Sequence, residues 1–186
     1  MITQKEIYEK DLIKMPKKIN VLYKGMLLSV VRIDQQNYLC GYLKYPPNFD
    51  FKCLTDGLDQ SESSQESDPL IRFIEYYQLF HDSVTARGNN FIGFDCAHYG
   101  DYSPNYPRNG DIYRDSEFVL NKLKHAVDRI LLKINQTTYN SHKNHYQKLS
   151  ENLTQPSRSC IYCSLVITSG AIVFLIFNNY KQDIIN

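Results

Sequence analysis

After Asp115 the apolar residues Phe118, Val119, Leu123, Ala126, Val127, Ile130, Leu131 and Ile134 recur at threes and fours. That period is helical, and Asp115 offers the side-chain oxygen that caps a first turn. A helix with such a stripe must bury it against a second layer, so this segment constrains the fold more than any other. The residues for that layer lie upstream. Met26-Leu27-Leu28-Ser29-Val30-Val31-Arg32-Ile33 and Tyr38-Leu39-Cys40-Gly41-Tyr42-Leu43-Lys44-Tyr45 are β-rich runs on either side of the polar turn Asp34-Gln35-Gln36-Asn37, and Pro46-Pro47 stops the second. This is a hairpin pattern. Phe91, Ile92 and Phe94 favour a further buried extended segment. Pro69 to Thr85, with Ile71, Phe73, Ile74, Tyr76, Tyr77, Leu79 and Phe80, suits a helix or a strand and is read as a strand. The expectation is an α+β fold, a small antiparallel sheet with one long amphipathic helix packed on it, plus a C-terminal transmembrane helix.

With 186 residues, 42% of them hydrophobic and 22% charged, the chain holds one soluble domain of ordinary size and something extra. Ile2, Ile7, Tyr8, Leu12 and Ile13 are loosely helical in spacing, and Pro16 with Lys17 and Lys18 ends that run, which makes residues 1–19 a peripheral N-terminal helix. The α+β domain then spans 20–135. Inside it, Thr55 to Asp68 contains Asp56, Asp59, Glu62, Glu66 and Asp68 with four serines and no base, and reads as a mobile acidic loop. It lacks the fixed carboxylate spacing of a calcium loop. Residues 136–159, rich in Asn, His, Lys, Gln and Ser, read as a polar linker, and 178–186 as a short tail.

Lysine and arginine number 21 against 20 acidic residues, a formal net charge of +1, so no global field exists to hold a nucleic-acid backbone. Nucleic acid is not an expected partner. The five cysteines, Cys40, Cys53, Cys96, Cys160 and Cys163, are odd in number, and no apolar signal-peptide core precedes Asn20, which points to a reducing compartment. Cys160 and Cys163 form a CxxC with no second pair at zinc spacing, and read as buried or lipidated thiols rather than a metal or redox pair.

Cys160 to Phe177 is eighteen residues without a charge. As a helix it would reach about 27 Å, just short of a ~30 Å hydrocarbon core. The expectation is a single membrane span anchoring the chain by its tail in a host membrane. Lys143, Lys148 and Arg158 precede it and only Lys181 follows, a bias that leaves the main domain in the cytosol. The glycosylation sequons at Asn135 and Asn152 would need a lumenal domain, and are expected to be unused.

Chemistry concentrates where the third extended run ends. Asp95, Cys96, His98 and Asp101 follow Phe91, Ile92 and Phe94 directly, before the turn at Ser103-Pro104. The segment Gly93-Phe94-Asp95-Cys96-Ala97-His98-Tyr99-Gly100-Asp101, with Tyr113-Arg114-Asp115 and a helix after it, resembles a group of small uncharacterised bacteriophage and large-DNA-virus proteins with a Gly-Phe-Asp-Cys-Ala-His-x-Gly-Asp core. Tyr23-Lys24-Gly25, Cys40-Gly41-Tyr42 and Pro46-Pro47 are similar to that group too. The likeness covers roughly residues 20 to 135. His81-Asp82-Ser83 stands where those relatives carry His-Gly-Gly, so the close backbone approach that two glycines allow is lost here. The resemblance implies a viral origin and a shared small fold, without supplying an activity.

Asp95, His98 and Asp101 are ligands suited to a divalent metal, with His81 as a fourth, and such a metal would activate water for hydrolysis of a phosphoester or amide. Without a metal, His98 would be a general base oriented by Asp95 or Asp101. Each group also has an ordinary structural use: Asp95 satisfying donors at a strand end, His98 bonding within a loop, Cys96 filling core, Gly100-Asp101 turning the chain. Arg114 can clamp an anionic substrate or pair with Asp111 or Asp115. Two function classes follow: a membrane-anchored viral accessory protein that binds a host protein or small ligand, and a small metal-assisted hydrolase using Asp95, His98 and Asp101.

Overall fold

The computed structural model describes residues 2–58 and 67–154, with side chains to Lys148. In chain order the elements are α1 (Gln4–Lys14), β1 (Lys18–Tyr23), β2 (Met26–Arg32), β3 (Leu39–Lys44), a 3-10 turn (Lys52–Thr55), α2 (Pro69–Tyr76), β4 (Ala86–Gly88), β5 (Phe91–Asp95) and α3 (Ser116–Thr154). The five strands form one sheet in the order β1-β2-β3-β5-β4, every neighbour antiparallel. The expected α+β architecture with a small antiparallel sheet and a long helix is therefore present. The chain divides into two compact units, Met1–Lys143 and Asn144–Asn186. The sheet, α1 and α2 belong to the first, and the second is described only along its helical residues to Thr154.

Alternation along the strands sends one set of side chains to the core. Leu28 lies opposite Leu43 and Leu43 opposite Ile92, while Val30 and Phe94 flank Gly41. These residues cluster with Val119, Leu123, Ala126, Val127 and Ile130 of α3, the stripe expected from the sequence, all of them buried. Asp115 does cap α3, accepting from the Phe118 amide at 2.7 Å. Gly41 lets the layers close: a Cβ there would lie 2.8 Å from the Phe94 ring and 2.9 Å from Val119.

Three sequence expectations need correction. The run Pro69 to Thr85 is not a strand. Asp68 accepts from the amides of Leu70 and Ile71 at 2.8 and 3.3 Å, Pro69 takes the first turn, and Leu70, Ile71, Phe73 and Ile74 are buried, so an N-cap and a proline at its favoured place select a helix over Pro69–Tyr76. Next, β1 begins at Lys18, inside the stretch read as the N-terminal helix. Lys24 and Gly25 both adopt positive φ, at 48° and 82°, the conformation of a two-residue hairpin turn, which joins β1 to β2. Last, the polar residues after 135 continue α3 to Thr154 rather than forming an irregular linker. Thr137 and Thr138 donate back to the carbonyls of Lys133 and Ile134, a local use of the hydroxyl compatible with helix.

The ends of the stretch read as an acidic loop are placed. Leu58 is buried and Asp68 caps α2, and residues 59–66 lie outside the described residues. The expected span 160–177, the tail and the Cys160/Cys163 pair also lie outside them. Among the described residues no helix is long and apolar enough to cross a membrane. Asn135 is exposed on α3, and Asn152 falls within the same helix.

α1 starts with a capping box between Thr3 and Glu6, and its one buried residue is Asp11. That carboxylate accepts from Arg32 Nη2 and from the Tyr113 hydroxyl, each at 2.8 Å, and from the Ser116 amide at 3.0 Å as well as the Ser116 hydroxyl. Arg32 also donates to the Tyr113 oxygen at 2.8 Å. One buried ionic network thus ties α1, β2 and the start of α3 together.

Candidate functional site

β5 ends at Asp95, whose carboxylate accepts from the Ala97 amide at 3.1 Å and turns the chain out of the sheet. Cys96 stays in ladder register, its amide donating to the Leu39 carbonyl at 2.9 Å, and its side chain enters the core. Burial pushes its thiol well above the ordinary range, with the Asp101 charge adding to the effect, as befits a residue that fills core. A turn over 98–101, with Gly100 at φ 89°, then brings Asp101 back beneath His98. His81 arrives from the segment after α2, and Arg114 from the residues just before α3.

Asp101 is the centre of the cluster, with 3% of its side chain exposed. His81 Nε2 lies 3.0 and 2.8 Å from its two oxygens, Arg114 Nε donates to Oδ1 at 3.0 Å, and the His98 amide donates to Oδ2 at 3.0 Å. Burial alone would raise this carboxyl's pKa. The bonds from His81, Arg114 and the His98 amide outweigh it and hold the group below the ordinary carboxylate value. His98 Nδ1 lies 3.5 Å from Asp101 Oδ2 and is buried, with no hydrogen-bond partner among the described residues. Its Nε2 faces outward, 3.3 Å from Asp82 and 3.8 Å from Asp95. The two imidazoles meet edge to face with centroids 5.3 Å apart, and His81 also meets the Phe118 ring at 5.4 Å.

Comparison with known proteins found no matching family model, no matching curated protein and no matching solved structure.

Of the four expected metal ligands, His81, His98 and Asp101 each place one ligand atom within 4.8 Å of the others. Asp95 does not join them and instead faces the far nitrogen of His98. Arg114 forms no ion pair with Asp111 or Asp115 among the described residues; its Nε donates to Asp101 and its guanidinium lies over Phe118 at 5.0 Å. Two clefts open on either side. One, of about 480 Å³, is lined by His98, Asp101, Tyr38, Asn105, Tyr106 and Arg108 among others. The second, about 550 Å³, is lined by His81, Asp82, Ser83 and Lys122 with part of α2. Asp82 was missed from sequence because nothing local marks it; its backbone adopts φ 63°.

Proposed function

We propose that His81, His98 and Asp101 form a divalent-metal centre and that the protein is a small metal-assisted hydrolase. The observation that carries this is the convergence of three ligand atoms from separate segments, one of them a buried imidazole nitrogen with no hydrogen-bond partner among the described residues. An orphaned buried acceptor or donor is costly, and a metal would satisfy it. Ligand atoms around a tetrahedral metal with ~2.05 Å bonds stand about 3.3 Å apart. His81 Nε2 and Asp101 Oδ2 are 2.8 Å apart and His98 Nδ1 and Oδ2 are 3.5 Å apart, close to that spacing.

Two imidazoles and one carboxylate leave at least one coordination position for water, the composition of hydrolytic zinc sites. A bound water there would ionise near neutrality and become the nucleophile. The surroundings suit the role. Asp82 and Asp95 face the other nitrogen of His98, as carboxylates do behind a metal-bound imidazole, and Arg114 holds the second oxygen of Asp101.

The test is metal content of the full chain after purification and re-loading with zinc or manganese, by elemental analysis and calorimetry, beside His81→Ala and His98→Ala. The proposal expects one ion per chain, lost in both variants while circular dichroism stays unchanged. Folded wild-type protein that holds no metal would refute it.

The second reading, a viral accessory module that binds a host protein or small ligand, draws support from Tyr99 and Tyr106, exposed at 93% and 78% on the loop beside the cluster. Rings left in water are common anchors of interfaces. In both readings the charge-free segment 160–177 would hold the domain at a host membrane with its main part in the cytosol.

A further inference from the structure

Two of the three proposed ligands, His98 and Asp101, line a cleft whose other side chains restrict what it can hold. Building on the metal-centre reading, we infer that the 480 Å³ cleft takes a phosphate ester, with its phosphoryl oxygens shared between the metal and Arg108 and its organic group lying toward Tyr38 and Tyr106.

Charge gives the first argument. Arg114 pairs with Asp101 while Asp82 and Asp95 lie behind His98, so a divalent ion at the three ligands would be the local positive centre for an anionic oxygen rather than part of a broad positive field. Arg108 adds a second cation on the same lining. Its Nε forms an ion pair with Asp111 at 3.7 Å and its guanidinium lies over the Tyr99 ring at 5.5 Å, while among the described residues no hydrogen bond occupies its Nη atoms. A guanidinium fork of that kind matches phosphate oxygens. Asn105 donates to the Gln35 carbonyl at 3.1 Å, which ties the loop carrying Arg108 to the β2–β3 turn and keeps the two walls of the cleft together.

Proton supply gives the second. Amide hydrolysis needs a general acid to protonate a poor amine leaving group. Asp101 is the one carboxylate in the lining, and His81 and Arg114 occupy it. Transfer of a phosphoryl group depends more on positioned positive charge. In the reaction, metal-bound water gives one proton to solvent as its oxygen bonds to phosphorus. The bond from phosphorus to the ester oxygen breaks, and the departing oxygen takes a proton from solvent, so ester and water become alcohol and phosphate.

The experiment uses the full-length metal-loaded protein, its metal content measured first. Inorganic phosphate is titrated by calorimetry, and turnover is followed with 4-nitrophenyl phosphate, bis(4-nitrophenyl) phosphate and a 4-nitroanilide. Phosphate should bind, Arg108→Gln should weaken it roughly tenfold at unchanged metal content and fold, and one or both aryl phosphates should be cleaved while the anilide is not. The two phosphate substrates tell a monoester from a diester. Stoichiometric metal with no phosphate binding, phosphate binding indifferent to Arg108→Gln, or cleavage of the anilide alone would overturn this inference and leave the metal centre standing. Absence of metal would overturn both.

Discussion

Asp11 and Asp101 are each buried and hydrogen-bonded to an arginine, and they sit in opposite situations. Asp11 is closed in by Arg32, Tyr113 and Ser116, each donating to it. Burial pushes the Tyr113 hydroxyl further up from its ordinary value, and Arg32 keeps its charge. Asp101 instead shares itself among Arg114, His81 and the His98 amide, beside a histidine nitrogen with no hydrogen-bond partner among the described residues and at the edge of two clefts. The first arrangement saturates its donors and acceptors and holds three elements together. The second leaves ligand capacity over, which is what a binding centre requires and a structural tie does not.

The sharpest way to test that contrast is to break the closed network. Arg32→Met leaves Asp11 buried without its cation and should cost about 3–5 kcal/mol in urea unfolding. Changing Asp11 to Leu as well should recover most of the loss, since the charge left behind is then gone. A weaker effect is expected at the other aspartate. Asp101→Asn keeps the shape but removes the charge facing Arg114 and His81, and should cost roughly 2 kcal/mol and abolish metal binding.

Acid titration tests the Asp101 variant by sign. Asp101 has its pKa lowered in the folded state, so its contribution is present above the unfolded value of about 3.9 and is lost as pH falls through the lower folded value. Unfolding midpoints measured downward from pH 6 should therefore fall less steeply below about pH 4 for Asp101→Asn than for the wild type. Equal slopes would mean that Asp101 is not held as described. His98→Ala should change stability by only about 1 kcal/mol and still remove the metal, a dissociation of fold from function that no variant of the Asp11 network should give. The least effect belongs to Cys96→Ala: within about 1 kcal/mol, with metal content unchanged, because the thiol fills core and takes no part in the cluster.

How far these regions could be read in advance follows from the range of the interactions that make them. The helix beginning at Ser116, the β2–β3 hairpin and the strand Phe91–Asp95 are written in periods of two and of three to four residues, and each was legible. The helix at Pro69 was legible in principle through Asp68-Pro69, but its crowded aromatic residues suit both periods and drew the reading to a strand. β1 was hidden because Lys17 and Lys18 look like the end of a helix, whereas Ile19, Val21 and Tyr23 are an alternating set whose meaning depends on pairing with β2. The crowding of Asp95, His98 and Asp101 marked a site, but not which of their atoms would face one another.

By itself the sequence determined what local chemistry decides: a capped amphipathic helix, a hairpin, a strand that runs into a polar turn, and a charge-free segment near the C-terminus. Only the tertiary structure decided the partners of the buried charges. Asp11 meets Arg32 and Tyr113 across separations of 21 and 102 residues, and His81 meets Asp101 across 20. Backbone periods act over one or two turns of chain, so they can orient a side chain toward the core or the solvent. Which ionised group waits there is settled by the packing of α3 on the sheet, because a charge leaves water only where the finished fold brings it a partner.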